Sequence, residues 1–364
     1  MKILLVGGGS GGPVTPLLAV REEILRVKPN AEFSFISGAR GPEKSLIAKL
    51  GMDVHSIPCG KWRRYFSLQN LLDIFFTAAG FFKSLYLIKK INPHLIFSSG
   101  SYLAVPVSYA ALLFGKKIVI HQQDYLPSLS NKLIYPIADK VTVSLEKSIK
   151  DYDKGLGIIK LKTREKTIYT GNPIRPEITQ GNAEKARQIF GLKPDFPTLL
   201  VLGGATGALK LNQIISQAAL KLTKYYQIIH VTGREKNLNP QKNENYHCYE
   251  FLNEELPHAL KIADFVISRA GFSTISELSA CKKVALLVPL PDSHQLANAK
   301  YCMDKSAVFG IIEPYLTPDY LISLLRKIEF NLDAQKILKK NIAKINPAQA
   351  GHLIAKVIIG LCGK

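Results

Sequence analysis

Several features are scarce in this chain of 364 residues, and each absence excludes a class of protein. The five cysteines are scattered and form no C-x-x-C pair. We therefore expect the reduced thiols of a cytosolic protein, and neither a disulfide framework nor a zinc site. No apolar run reaches ~18 residues, so no membrane-spanning helix is expected. The amino-terminal apolar run is also too short for a secretory signal.

Acidic residues are few, with 28 Asp and Glu against 48 Lys and Arg, which gives a net charge of +20. Such a surplus favours anionic partners: nucleic acid, anionic lipid or phosphorylated substrates. Because no nucleic-acid-binding module is recognisable, nucleic acid is not expected as a partner. No Asp-x-Asp metal motif lies at an expected strand end. The sequence Asp151-Tyr152-Asp153 is predicted to form a solvated polar loop, and no bound metal is expected.

What the chain does contain is a repeated order of apolar strand, polar loop and helix, and its length favours two domains. Glycine-rich loops at 7–12 and 203–208 each follow a predicted strand and open one half of the chain. We predict an α/β fold of two Rossmann-like domains, each a doubly wound parallel sheet, facing a cleft. The predicted domains are residues 1–172 and 173–346. A carboxy-terminal helix, 347–364, is expected to pack back on the first domain.

The most informative stretch is 268–298. A buried strand ends at Ser268, Gly271 breaks it, and a helix is predicted to follow with the hydroxyl residue Ser273 at its cap. Glu277 is predicted to lie in the first turn. A strand that runs through a glycine turn into a helix amino terminus is typical of an anion site, so phosphates would bind there and Glu277 would accept hydrogen bonds from sugar hydroxyls. The alternative is a capped amphipathic helix of an ordinary α/β domain.

In the first half, three polar segments follow predicted strands: the first glycine loop, 98–101, and 121–124. Because the carboxyl ends of parallel strands lie at one edge, these segments are expected to share a crevice. His121 and Asp124 are the titratable groups of the last segment. A lone histidine at a strand end is commonly structural, whereas one in a cluster with amides and a carboxylate is also a candidate for function.

An unusual aromatic and basic stretch lies between these segments, at 60–66, and precedes an apolar run to residue 90. Aromatic side chains beside Arg and Lys suit the headgroup region of an anionic membrane. We therefore predict a membrane contact through Trp62, Arg63, Arg64 and Phe66. The alternative is a helix buried in the first domain with a solvated basic loop.

Taken together, GGGSGGPVTPLLA, IHQQD, TGNPIR, LGGATGALKLN, SRAGFSTISEL and DSHQLANA resemble, in order and spacing, the MurG family of peptidoglycan glycosyltransferases in glycosyltransferase family 28. The resemblance implies a GT-B fold and an inverting, metal-independent transfer of N-acetylglucosamine from UDP-N-acetylglucosamine (UDP-GlcNAc). The implied acceptor is lipid I, an undecaprenyl-diphospho-muramyl peptide, and the product is lipid II. It implies no cofactor, a peripheral position on the cytoplasmic face of the membrane, and other cell-wall synthesis enzymes as partners.

The resemblance also implies roles for individual residues. Backbone N–H groups of the helix start would hold the donor diphosphate, Glu277 the ribose and Leu252 the uracil, while Gln295 and His294 would contact the sugar. The first glycine loop would face the acceptor diphosphate and the transferred sugar. The implied donor-binding residues are Ser10, Gly11, Gly12, Asp124, Arg175, Ala205, Leu252, Phe272, Ser273, Thr274, Ile275, Ser276, Glu277, His294 and Gln295.

Three departures from the family pattern fall on the expected site. Pro13 stands where the first loop of the family normally ends in a histidine. The family has His-Glu-Gln-Asn at the positions of residues 121–124, and this chain has His-Gln-Gln-Asp there. The second loop has Ala205-Thr206 in place of Ser-Gln. An inverting transfer needs a base for the acceptor hydroxyl, and Asp124 is the predicted substitute, with His121 next. Two other functions stay open: a transferase for another lipid acceptor, such as diacylglycerol, and a binding protein without catalysis.

Overall fold

The computed structural model describes residues 1–8, 12–38, 47, 50–60, 68–153, 166–204, 208–233 and 243–363. It separates into two compact units. Unit 1 comprises residues 1–173 and 349–364, and unit 2 comprises residues 174–348. The predicted boundary after residue 172 lies one position from this division.

Unit 1 is built on a parallel sheet with the strand order β3-β2-β1-β4-β5-β6-β7 in its described residues. The chain reverses its direction of travel across the sheet between β1 and β4, the point at which open α/β sheets hold ligands at their carboxyl ends. The strands are β1 Lys2–Val6, β2 Glu32–Gly38, β3 Asp53–Ile57, β4 Leu95–Ser98, β5 Lys117–Gln122, β6 Lys140–Val143 and β7 Thr167–Tyr169.

Helices cover both faces of this sheet. Alternate residues of β1 show why: Leu4 and Val6 join one apolar cluster, whereas Ile3 and Leu5 join the other. The helices are α1 Thr15–Val27, α2 Leu68–Ile91, α3 Ala104–Leu113, α4 Leu129–Ile134, α5 Lys147–Asp153 and the carboxy-terminal α13 Ala350–Cys362, with a 3₁₀ turn at Tyr135–Ile137.

The carboxy-terminal helix completes the second of these layers. Ile354 and Ile358 of α13 are fully buried in the same cluster as Leu17 and Ile24 of α1. The close approach of α1 also explains one glycine of the first loop. A Cβ at Gly7 would lie 2.7 Å from Cδ1 of the fully buried Leu17, so this side chain of α1 would have to shift to admit a larger residue.

Unit 2 repeats this plan with the strand order β10-β9-β8-β11-β12-β13. All five pairings are parallel, and fully buried residues such as Leu199, Ile228 and Ile267 form its core. The strands are β8 Thr198–Leu202, β9 Gln227–Val231, β10 Tyr246–Tyr249, β11 Phe265–Ser268, β12 Val284–Leu287 and β13 Phe309–Gly310. The helices are α6 Ala183–Phe190, α7 Leu209–Leu222, α8 Leu256–Ile262, α9 Phe272–Ala280, α10 His294–Asp304, α11 Pro318–Phe330 and α12 Leu332–Ile342, with 3₁₀ turns at Pro176–Thr179 and Glu313–Tyr315.

The predicted fold class is therefore confirmed: both units are doubly wound parallel α/β sheets. The regular alternation of buried strands and amphipathic helices carried that prediction, because each such unit must cover its sheet on both faces.

Candidate active site

The loops at the carboxyl edge of the unit 1 sheet are joined by side chains that bond to backbone carbonyls. Ser99 Oγ, after β4, donates to the carbonyl of Pro13 in the loop after β1. Ser130 Oγ, on α4, donates to the carbonyl of Gly100 at 3.0 Å. The loops after β1, β4 and β5 therefore form one connected edge, with Gly12 half-buried beside Pro13. Ser10 and Gly11 lie outside the described residues.

His121 lies within this edge, but it is fully buried. Its Nδ1 lies 2.9 Å from Oγ1 of Thr142, and its Nε2 lies 3.1 Å from Oδ1 of Asn172 and 3.2 Å from Oγ of Ser144. Burial lowers the pKa of His121 to about 4, so the imidazole is neutral near pH 7. Because His121 is fully buried and both of its ring nitrogens already have partners, this geometry does not favour His121 as the base.

Asp124 is half-buried, two residues beyond the end of β5. The residue that organises its loop is Gln122, which is 1% exposed. Gln122 Nε2 donates to the backbone carbonyls of Asp124 and Leu126, at 2.9 and 2.8 Å. The loop that carries the candidate base is therefore bonded directly to the end of the strand.

The prediction that Asp151-Tyr152-Asp153 forms a solvated loop is wrong. These residues end α5, and Tyr152 is 4% exposed. Its hydroxyl donates to Gln122 Oε1 at 3.0 Å, and its ring stacks on Tyr135 with centroids 4.7 Å apart. The two flanking aspartates suggested a polar loop, but helical periodicity turns Tyr152 into the core. Sequence reasoning missed its link to Asp124.

The candidate anion site of unit 2 is the amino terminus of α9. The helix begins at Phe272, and its N-cap is Gly271 with extended dihedral angles and no side-chain cap. The prediction of a hydroxyl cap at Ser273 is therefore wrong, and so is the position of Glu277, which lies in the second turn. The first N–H groups of a helix lack intrahelical acceptors. Because the N-cap side chain does not accept from them here, they are suited to bind an anion. Phe272, Ile275 and Ser276 are buried, and Ser273 and Thr274 are half-buried.

Glu277 is a buried carboxyl group one turn further along α9, and it is 7% exposed. Burial raises its pKa to about 7, and the positive charge of Arg175 opposes that rise. Arg175 Nη1 in turn lies 3.4 Å from Oδ1 of Asn253, next to the buried Leu252. The structure therefore brings together three predicted donor-site residues, Arg175, Leu252 and Glu277, within unit 2.

The loop after β12 contributes the first turn of α10. Ser293 Oγ accepts from the backbone N–H of Gln295 at 3.2 Å, and Gln295 Oε1 accepts from the N–H of Leu290 at 3.0 Å. His294 is exposed there, and Gln295 is half-buried. Asn298 Nδ2 donates to the carbonyl of Ala270 at 3.0 Å, which joins this helix to the turn before α9. Ala205 lies outside the described residues.

An ion pair that sequence reasoning missed holds the same turn. Arg269 Nη1 donates to the carbonyl of Val288 at 3.0 Å, and Nη2 lies 2.5 Å from Glu313 Oε1. Both side chains are less than a tenth exposed. The pair connects the segments after β11 and β12 to the 3₁₀ turn at Glu313. The Arg-Ala-Gly sequence offered a signal for Arg269, but nothing in the sequence indicates Glu313 as its partner.

The predicted membrane residues Trp62, Arg63, Arg64 and Phe66 lie outside the described residues. The helix that follows them, α2, exposes apolar side chains, and Phe75 and Phe82 are each 68% exposed. Lys83, Lys89 and Lys90 of α2 are also exposed. In the part of the chain that the structure describes, no helix is long and apolar enough to cross a membrane.

The same described residues contain no cluster of three or more His, Cys, Asp or Glu side chains that could hold a metal ion.

The two doubly wound parallel sheets place the chain in the class of open α/β proteins, which bind their ligands at the carboxyl edges of the strands. Within this class, the chain belongs to glycosyltransferase family 28. The model of the family's amino-terminal domain matches residues 3–143, and that of its carboxy-terminal domain matches residues 198–352.

Relatives with a named activity agree with this membership. A protein of Bacillus cereus named UDP-N-acetylglucosamine–N-acetylmuramyl-(pentapeptide) pyrophosphoryl-undecaprenol N-acetylglucosamine transferase 2 is 35% identical over 98% of this chain and 99% of its own length. A transferase of the same name, without the number, from Clostridium tetani is 39% identical over 82% of each chain. The predicted resemblance is confirmed.

Solved structures agree with the fold. The crystal structure of Acinetobacter baumannii MurG matches with a TM-score of 0.69 at 21% identity, and 99% of each chain is covered. The calicheamicin glycosyltransferase CalG4 matches with a TM-score of 0.68 at 13% identity, over 100% of this chain and 98% of the other. The predicted GT-B architecture is the one that these glycosyltransferases share.

Proposed function

We propose that this protein transfers N-acetylglucosamine from UDP-GlcNAc to lipid I and so forms lipid II for peptidoglycan synthesis. The observation that carries the proposal is the near full-length similarity to transferases named for this reaction, at 35–39% identity. The matches of both halves of the chain to the two domain models of the family support it.

The donor binds at the carboxyl edge of unit 2. Backbone N–H groups at the start of α9 donate hydrogen bonds to the diphosphate, because they lack intrahelical partners and lie at the positive end of the helix dipole. Glu277 accepts hydrogen bonds from ribose hydroxyls, and the Leu252 backbone contacts the uracil. Gln295 and His294 contact the sugar. Arg175 adds positive charge beside Glu277.

The chemical step is a displacement at the anomeric carbon of the donor sugar. The acceptor hydroxyl attacks this carbon and the bond to the UDP oxygen breaks, so the configuration inverts. Asp124 takes the hydroxyl proton. The negative charge that develops on UDP is stabilised by the α9 N–H groups, and no metal ion is required. Pro13 has no side chain that could accept a proton, which leaves Asp124 as the base at this edge.

The acceptor is a lipid, and the enzyme works at the cytoplasmic face of the membrane as a peripheral protein. The exposed Phe75 and Phe82 of α2 enter the headgroup region, and Lys83, Lys89 and Lys90 attract anionic lipid. The stretch with Trp62, Arg63, Arg64 and Phe66 precedes this helix and extends the same contact. Other enzymes of cell-wall synthesis are expected as partners at this surface.

A choice between acceptors tests the proposal. Radiolabelled UDP-GlcNAc is offered with a short-chain lipid I analogue or with diacylglycerol, in the presence of a chelator. The proposal predicts labelled product from the lipid I analogue alone. Product from diacylglycerol would instead identify a transferase for another lipid. Donor binding without any product would identify a nucleotide-sugar-binding protein.

A further inference from the structure

The side chain of Gln122 makes five hydrogen bonds, and they use both ends of its amide. Oε1 accepts from Asn131 Nδ2 at 2.8 Å, from the Tyr152 hydroxyl at 3.0 Å and from the Ser128 backbone N–H at 3.2 Å. Nε2 donates to the carbonyls of Asp124 and Leu126. Three donors on one side and two carbonyls on the other fix the orientation of the amide.

This arrangement requires an amide at position 122. A carboxylate has no proton to donate, so it would place negative oxygens against the two loop carbonyls. A shorter apolar side chain would leave these carbonyls and the three donors without this partner. Asn131 and Tyr152 are buried, and a buried polar group that loses a partner is costly. Gln122 therefore bonds the end of β5 to the loop backbone at residues 124, 126 and 128.

The supports of Gln122 are themselves rigid. Tyr152 is held by its stack on Tyr135, and Lys166 Nζ lies 4.4 Å from the centroid of the Tyr135 ring and donates to the Tyr135 carbonyl at 2.7 Å. Asn131 Nδ2 also donates to the carbonyl of His121 at 3.0 Å. The partners of the Gln122 amide are therefore held in place by β5, α4 and α5.

We propose that Gln122 is a positioning residue for catalysis: its amide holds the 124–128 loop so that the Asp124 carboxylate meets the acceptor hydroxyl. This inference rests on the proposed function, in which Asp124 is the base. Gln122 bonds to the backbone of residue 124 and acts through it, so its loss should lower turnover and leave donor affinity unchanged.

The chain offers a matched control in unit 2. Gln227 is equally buried, and its Nε2 donates to the carbonyls of Lys193 and Phe196 at 3.0 and 2.7 Å. It holds a loop at the amino end of β8 and β9, the edge opposite to the candidate donor site. Gln122→Ala and Gln227→Ala therefore remove the same kind of loop clamp at different places.

Steady-state kinetics and calorimetry on the whole protein compare the two variants. Gln122→Ala should lower kcat about 30-fold, with the dissociation constant of UDP-GlcNAc within about twofold of wild type. Gln227→Ala should lose a similar amount of stability but keep kcat within about twofold. Equal losses of kcat in both variants, or no loss in Gln122→Ala, would overturn the proposal. If Gln122→Ala does not fold, Tyr152→Phe removes one donor to Oε1 and should lower kcat about threefold.

Two further measurements separate positioning from general damage. In an Asp124→Asn background, Gln122→Ala should cause no additional loss of kcat, whereas a multiplicative loss would mean that Gln122 acts elsewhere. In Gln122→Glu, the ratio of kcat to that of wild type should fall as pH rises, because only the protonated carboxyl can donate to a loop carbonyl. A flat ratio would contradict the requirement for a donor.

A readout without turnover distinguishes this inference from the proposed function. The backbone N–H of Ser128 donates to Gln122 Oε1. The hydrogen exchange of this N–H should therefore accelerate about tenfold in Gln122→Ala but not in Gln227→Ala. If the wild-type protein transfers no sugar, the proposed function fails, and the exchange result still decides whether Gln122 holds the loop. Unchanged Ser128 exchange would refute the clamp even in an active enzyme.

Discussion

The two sheet edges of this protein are built with different chemistry. The unit 1 edge is held by neutral groups, the hydroxyls of Ser99 and Ser130 and the amide of Gln122, each bonded to loop carbonyls. The unit 2 edge is organised by charge, with the buried Arg269–Glu313 pair beside the α9 turn and Glu277 near Arg175. The difference agrees with the proposed function, in which unit 2 holds a charged donor and unit 1 places one carboxylate.

The largest expected effect breaks the charged edge. Glu313→Ala leaves the Arg269 guanidinium buried without its partner, which should cost about 3–5 kcal/mol in the free energy of unfolding. Asp319→Ala is the matched control, because its ion pair with Lys221 is exposed and should contribute less than about 1 kcal/mol. Urea denaturation measures the free energy of unfolding of both variants. Equal losses would show that the buried pair stabilises the protein no more than an exposed pair does.

A second prediction concerns the neutral edge and pH. The pKa of His121 is lowered from 6.5 to about 4 by burial, so the folded state binds fewer protons than the unfolded state between these values. The stability that depends on neutral His121 is therefore complete above pH 6.5 and is lost as pH falls toward 4, by about 3 kcal/mol.

His121→Gln should remove this share of the pH dependence, as measured by unfolding at several pH values between 4 and 7. His352→Gln is the control, since His352 is exposed on α13. His230 in unit 2 is also buried with a pKa near 4, so part of the slope should remain in either variant. An unchanged slope in His121→Gln would contradict the buried neutral state.

The third prediction sharpens the comparison at Glu277. Its pKa is about 7 without ligand, and hydroxyl donors prefer the ionised form. UDP-GlcNAc should therefore bind about tenfold more tightly at pH 8 than at pH 6. Glu277→Gln should weaken binding about tenfold at pH 8 and abolish the dependence. Calorimetry tests this, and a dependence that survives the substitution would assign it to another group.

The smallest expected effect concerns the membrane surface of unit 1. Phe75→Ser should weaken binding to anionic vesicles about fivefold, because one exposed aromatic side chain no longer enters the headgroup region. Phe330→Ser is a matched control in unit 2, where Phe330 is 73% exposed. Vesicle sedimentation compares the two, and equal weakening would mean that α2 is not the contact.

The sequence was sufficient for the fold, because buried strands and amphipathic helices alternate with little ambiguity. It also indicated Glu277 and Arg175, and the structure places the positive charge of Arg175 close enough to act on the Glu277 carboxyl. The predictions of the α9 cap and of a solvated Tyr152 were wrong, since local residue type was given more weight than helical periodicity. The Arg269–Glu313 pair and the clamp around Gln122 join segments distant in sequence, so only tertiary packing reveals them.

The central claim is that unit 1 supplies the chemistry and unit 2 the donor site, and the Asp124→Asn variant tests it most directly. Transfer of radiolabelled N-acetylglucosamine to a short-chain lipid I analogue is measured beside calorimetric binding of UDP-GlcNAc. The account predicts a loss of kcat of about 100-fold or more with donor affinity little changed. Wild-type turnover in Asp124→Asn, or an equal loss of donor affinity, would contradict it.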